Sequence, residues 1–221
     1  MGIPAGRATL VTNTHSQQQI LFEAEATTVG IAKLFGPFKD RLQAIAAIRS
    51  TGYTSLDVFK DQRKGNDVRL THDRFDWSNK TLQRSREGEE TQELTLTDPT
   101  TNDPLTGLFS VRSLPEFGPG QTVQRPMLVG WEIKVVTMRA GPVERRQGPG
   151  GWFEVFPVLL EIPDSDLFIR PDDLVIWLTV DRRRMPLRVE SVLRLGRGTV
   201  DLISYDDGRG GSGRYPEEKR Q

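Results

Sequence analysis

The chain has 221 residues, 30 Lys and Arg against 30 Asp and Glu, 36% apolar residues and no cysteine. That length suits one large domain or two small ones, an all-β barrel or sandwich commonly using it as one, and the balanced charge gives no general reason to expect nucleic acid or an anionic membrane as partner. The missing cysteine excludes disulfides, thiolate metal sites and a cysteine nucleophile, and no apolar run is long enough for a bilayer-spanning helix.

Residues 6–12 read as a short strand and 18–28 as a stronger one. There Ile20, Phe22, Ala24 and Ala26 share one face, with Glu23 and Glu25 on the other, the mark of a half-buried antiparallel strand. Residues 29–38 break the alternation. Ile31, Leu34, Phe35 and Phe38 suit a hydrophobic loop or one helical turn, ended by Gly36-Pro37. Strand resumes at 40–48, with Leu42, Ala44, Ala46 and Ile48 alternating. Strands at 53–63 and 68–77 flank a hairpin turn at Lys64-Gly65-Asn66-Asp67. A turn at 78–80 leads to a further hairpin, 81–86 and 90–96, around Glu87-Gly88.

Residues 98–120 predict the one substantial helix. Asp103 is a good N-cap and Pro104 a good first residue; Leu105, Leu108, Phe109, Val111 and Leu114 recur at helical spacing. Strands follow at 121–128 and at 131–139, the latter with Trp131, Ile133 and Val135 on one face. A Gly-, Pro- and Arg-rich loop spans 140–151, and the strand at 152–162 is apolar on both faces. After a loop at 163–171, residues 174–205 predict three strands joined by turns at 182–186 and 196–198. The expected fold is mainly β: a single large antiparallel curved sheet, or half-open β-barrel, with one short amphipathic helix packed on or inside it. One barrel-like domain is expected over residues 1–207, with a flexible Gly- and charge-rich tail at 208–221.

Chemistry is less legible. His15 lies in or near a turn and His72 in a polar strand; a hydrolase would require one of them within hydrogen-bond reach of a carboxylate in a cleft. Asp172-Asp173 and Asp206-Asp207 read as turn and strand-end residues, because neighbours on a strand point to opposite faces. Arg182-Arg183-Arg184 and Arg145-Arg146 read as soluble hairpin tips, with a phosphate or acidic-partner patch as the functional counterpart. The glycine-rich stretches at 148–151 and 208–213 lack the strand-to-helix context of a phosphate loop. No metal site and no cofactor is implied. The residues of interest are large and apolar: Phe35, Phe38, Leu108, Phe109, Phe156 and Trp177 are the candidates to line a greasy cavity within a curved sheet.

Trp177-Leu178-Thr179-Val180-Asp181, followed by Arg183-Arg184-Met185-Pro186-Leu187-Arg188, resembles the hallmark of a bacterial envelope family catalogued as domain of unknown function 3108. Similar matches run in family order: residues 2–10, Thr27 to Gly30 through Phe38 to Arg41, Asp103-Pro104-Leu105 through Arg112 to Pro115, and Gly151-Trp152-Phe153 through Phe156-Pro157. The resemblance implies an architecture like the periplasmic lipoprotein carriers, whose open barrel holds acyl chains. It implies a periplasmic location and a secretory leader; the expectation is that a leader and a first strand were trimmed ahead of Met1. The family offers no catalytic residues to carry over. The expected function is therefore non-enzymatic binding of a lipid or acyl chain, with an envelope scaffold that binds another protein through a sheet edge or the basic turn as the alternative.

Overall fold

In the computed structural model, residues 6–30, 37–164, 174–193, 196–208 and 211–214 are described. The chain is mostly strand, with one short helix among the described residues. Two large antiparallel sheets share the strands, and neither closes into a barrel. The first is a meander of seven consecutive strands: β1 (Gly6–Ser16), β2 (Gln19–Thr28), β3 (Phe38–Arg49), β4 (Gly52–Lys64), β5 (Asp67–Asp76), β6 (Thr81–Arg86) and β7 (Gln92–Thr95). The segment holding α1 (Pro104–Ser113) interrupts the meander. A second sheet then forms from β8 (Thr122–Val129), β9 (Glu132–Ala140), β10 (Glu144–Gly148), β11 (Gly151–Glu161), β12 (Leu174–Thr179), β13 (Pro186–Leu193) and β14 (Gly196–Asp201). A small hairpin, β15 (Ser204–Asp206) with β16 (Ser212–Arg214), stands apart.

Contacts divide the chain into two compact units. One holds Met1–Val111 with Pro126–Ile133, the other Arg112–Arg125 with Lys134–Gln221. In the first unit, Phe22, Ala44 and Val58 stand side by side on β2, β3 and β4 and are fully buried. They form a cluster with Ala46, Phe75, Leu82, Leu96, Leu105 and Leu128. Phe109 stacks on Phe22 with ring centroids 4.2 Å apart, a contact worth about 0.5–1.5 kcal/mol beyond its area.

The turns follow their residues. Gly65, with φ of 60°, opens the two-residue β4–β5 connection, which pairs Lys64 with Asp67. The Asp76 carboxylate accepts from the backbone N–H groups of Ser78 (3.0 Å) and Asn79 (2.9 Å) and fixes the next turn. In β4 the register shifts where Ile45 faces Asp57 and Ala46 faces Ser55, leaving Leu56 unpaired. That bulge brings Ser55 and Val58 to the same face. Ser55 then anchors the helix entry: its N–H donates to Asn102 Oδ1 at 2.7 Å and its hydroxyl to Asp103 Oδ2 at 2.8 Å. Asp103 caps α1 as predicted, accepting from the Leu105 N–H at 2.9 Å. The helix is less amphipathic than its spacing suggests, because Thr106, Gly107 and Ser110 are buried with Leu105 and Val111.

The structure differs from the sequence reading at four further places. Residues 144–148 are strand, not loop, since Pro149 and Gly150 (φ 87°) supply a tight turn and β10 pairs with β11 from Gly148↔Gly151 onward. Gly196 and Gly198 lie within β14, which pairs with β13 from Leu193↔Gly196. The stretch from Gly208 re-enters structure as β16, so a strand falls inside the predicted tail. Finally, β9 buries alternate residues out of phase with its start. Trp131 and Ile133 pack on the first core, Val135 is exposed, and Val136, Met138 and Ala140 are buried. The parity changes at the boundary between the units, Ile133/Lys134.

Candidate functional site

Of the six predicted ligand residues, Phe38, Leu108 and Phe109 belong to the first unit and Phe156 and Trp177 to the second. Phe35 lies outside the described residues, as do Asp172-Asp173. Phe38 opens β3, partly exposed, its N–H donating to Thr28 Oγ1 at 3.1 Å. Leu108 and Phe109 are partly buried on α1, and Phe109 is packed against Phe22. In the second unit Phe156 is buried and meets Phe117 edge-on at 6.4 Å. Phe156 pairs with Leu178, and Pro157 with Trp177. Phe156 and Trp177 thus project from opposite faces of the sheet and cannot line one cavity. Trp177 is covered by the Arg146 guanidinium, 3.5 Å from the ring centroid.

A groove of about 480 Å³ lies on the first sheet. It is lined by Arg41, Gln43, Phe59, Asp61, Leu70, His72, Ser85 and Glu87, together with Lys60, Thr71 and Arg86. Register explains this composition. Gln43, Phe59, His72 and Ser85 stand abreast on β3 to β6, and Arg41, Asp61 and Leu70 form the next row on the same face. Lys60, Thr71 and Arg86 fall between these rows, so their side chains belong to the opposite face. The groove lies on the face turned away from Phe22, Ala44 and Val58.

Its floor is apolar. Phe59 and Leu70 are 44% and 46% exposed, and Val68, two residues further along β5, is 58% exposed. The Phe59 ring stacks on His72 with centroids 4.0 Å apart and planes 14° from parallel. Its rim is charged and partly self-paired. Glu23 accepts from Gln43 (2.7 Å) and Arg41 (3.1 Å), and these bonds hold its carboxyl below the usual range. Asp61 takes a two-pronged bond from Arg63, which lowers its carboxyl likewise. With Arg41 engaged by Glu23 and Asp61 by Arg63, the exposed apolar stripe is the main surface that the groove offers a ligand.

His72 Nε2 lies 2.8 Å from Asp57 Oδ1, and Ser85 stands directly across from His72. The carboxylate contact required of a hydrolase is therefore present at this groove. His72 sits mid-strand between β4 and β6, Asp57 adjoins the β4 bulge, and Ser85 is one residue from the end of β6, beyond its pairing with β7.

The opposite face holds the reason this groove is hard to see in sequence. Asp73, fully buried, accepts from Arg84 Nε (2.5 Å), Arg84 Nη2 (2.7 Å) and Lys60 Nζ (2.8 Å). Arg84 also donates to the Gly130 carbonyl at 2.9 Å and lies over the Trp131 ring at 4.5 Å. Here Asp73 and Arg84 share the buried face with Phe75 and Leu82, while Val68 and Leu70 of β5 face outward.

Several arginines of the second unit are likewise engaged. A depression of about 240 Å³ is lined by Arg145, Arg146, Gln147, Trp152, Leu187, Arg188 and Asp201. Arg188 donates to Asp201 at 2.6 Å and to Glu190 at 3.3 Å, and Arg145 lies 5.5 Å from the Trp152 ring centroid. In the 182–186 turn Arg183 grips Asp181 (2.9 and 2.5 Å), while Arg112 donates to the carbonyls of Arg184 (2.7 Å) and Arg183 (3.0 Å). The turn is a built corner more than a free basic tip. No group of three or more metal-ligating side chains occurs among the described residues, and no helix among them is long and apolar enough to cross a membrane.

These features define a mainly antiparallel β protein with open sheets, and a solved structure shares the fold. It is a β-barrel-like protein of domain of unknown function DUF1849 from Brucella abortus, 11% identical, with a TM-score of 0.53 over 95% of this chain and 88% of that one. The chain belongs to the family described as Protein of unknown function (DUF3108), which matches residues 1–203. No curated protein matches it.

Proposed function

We propose that the protein is a non-enzymatic binding protein of the bacterial cell envelope that takes up an apolar or amphiphilic ligand, a lipid or acyl chain, on the outer face of its first sheet. The observation that carries this is the groove floored by Phe59, Leu70 and the Phe59–His72 stack, with Arg41 and Asp61 of its rim held by neighbouring side chains. Its volume falls within the range of small-ligand sites. Each CH₂ of an acyl chain that it removes from water contributes about 0.8 kcal/mol. The envelope location rests on the family resemblance of the 177–188 segment. Apolar lining, rather than the His72–Asp57 pair, is taken as the working feature because Phe59 and Leu70 are the large apolar side chains that the groove leaves exposed.

The test is binding of a fluorescent fatty acid. Saturable binding is expected, and Phe59→Ala, at a residue already half-exposed, should weaken it roughly tenfold without loss of fold by circular dichroism. No binding, or binding indifferent to both Phe59→Ala and Leu70→Ala, overturns the proposal.

A further inference from the structure

The charges beside the groove on the first sheet cancel in pairs, with one left over. Arg41 meets Glu23 at 3.1 Å, Lys39 meets Glu25 at 3.3 Å, Arg63 meets Asp61 at 2.7 Å and Arg74 meets Asp57 at 3.6 Å. His72 bonds the same Asp57 oxygen. Lys60 and Arg86, which line the groove from between its rows, are taken by Asp73 at 2.8 Å and Glu89 at 3.3 Å. Glu87 is the exception. It lines the groove and is exposed, and its carboxylate has no cation or hydrogen-bond donor among the described residues. Thr71 faces Arg86 in the β5–β6 register, so Glu87 follows just past the end of β6, abreast of Leu70. The unpaired carboxylate therefore stands beside an apolar side chain that is 46% exposed.

We propose that the groove selects amphiphiles by the charge of the head, taking an apolar chain that carries an ammonium group in preference to one that carries a carboxylate, and that Glu87 sets this preference. The inference rests on the groove being the ligand site. A chain laid over Leu70 brings its head towards Glu87 and displaces part of the water around that carboxylate. An unpaired carboxylate losing water is destabilised. A second carboxylate adds repulsion to that loss, whereas an ammonium group offsets it. Discrimination thus comes as much from rejecting the wrong head as from attracting the right one. The paired charges do not discriminate, since an incoming head meets both signs together.

Calorimetric titration with dodecylammonium and with dodecanoate, at neutral pH, low salt and below micelle-forming concentrations, tests this. Dodecylammonium should bind about fivefold more tightly, as expected for one exposed charge pair gained and one repulsion avoided. The ratio should shrink as salt is added. Glu87→Gln should bring it close to unity and Glu87→Lys should invert it. Glu87 is exposed in a turn, so both variants should keep the parent's circular dichroism. Phe59→Ala should weaken both probes alike and leave their ratio unchanged. Equal affinities in the parent, tighter binding of dodecanoate, or a preference that survives Glu87→Gln overturns the proposal and leaves the groove reading standing. Binding of neither probe overturns both.

Discussion

Asp73 is the residue on which the first unit's polar interior turns. Burial alone would push its carboxyl up, but the bonds and charge of Arg84 and Lys60 outweigh that and hold it below the ordinary carboxylate range. Removing one partner of such a pair leaves buried charge uncompensated, so Asp73→Asn should cost about 3–5 kcal/mol in urea unfolding. The sign with pH follows from the lowered value. The stabilisation is fully present above the unfolded carboxyl's pKa of about 3.9 and is lost as pH falls through the folded one. An acid titration of stability should therefore show a limb that is shallower in Asp73→Asn. An unchanged limb would mean that other carboxylates, such as Asp181 or Glu23, dominate acid unfolding.

At the scale of the element, the legible features were those with a local cause. The Asp103 cap, the Pro104 start and the 64–67 hairpin each depend on residues adjacent in sequence, and each was read within a residue or two. Gly65→Ala should cost about 1–2 kcal/mol, since φ of 60° disfavours a Cβ, with the midpoint of thermal unfolding as readout. No atom lies close enough for the new methyl to clash, so a larger loss would point to a different turn. What escaped the sequence was set by distant partners. β10 was hidden because Glu144 to Gln147 carry no apolar alternation, and the strand exists through its pairing with β11. The groove was hidden because β5 inverts the rule used to orient strands. Val68, Leu70 and His72 face out, while Thr71 and Asp73 face in, and Arg84 and Lys60 on the two neighbouring strands make that tolerable. Trp177 misled in the complementary way, its apolar ring being taken up by Arg146.

For the whole molecule, the mainly antiparallel architecture was readable from alternation and turns, but the division of strands between two sheets was not, because it depends on where the helix interrupts the meander. The same interruption governs the order in which structure can form. The chain crosses between its two units after Val111, after Arg125 and after Ile133. Leu128, Trp131, Ile133 and the Gly130 carbonyl close a core whose other members end at Phe109. A fragment of residues 1–111 should therefore fail to unfold cooperatively in a calorimeter, whereas one of residues 1–133 should show a transition. During synthesis the seven-stranded meander would leave the ribosome with its interior still open. It must wait for some twenty further residues, most of which belong to the other unit, before it can shut. The late return of a single short segment, more than the long run of local hairpins, would then set the pace of folding.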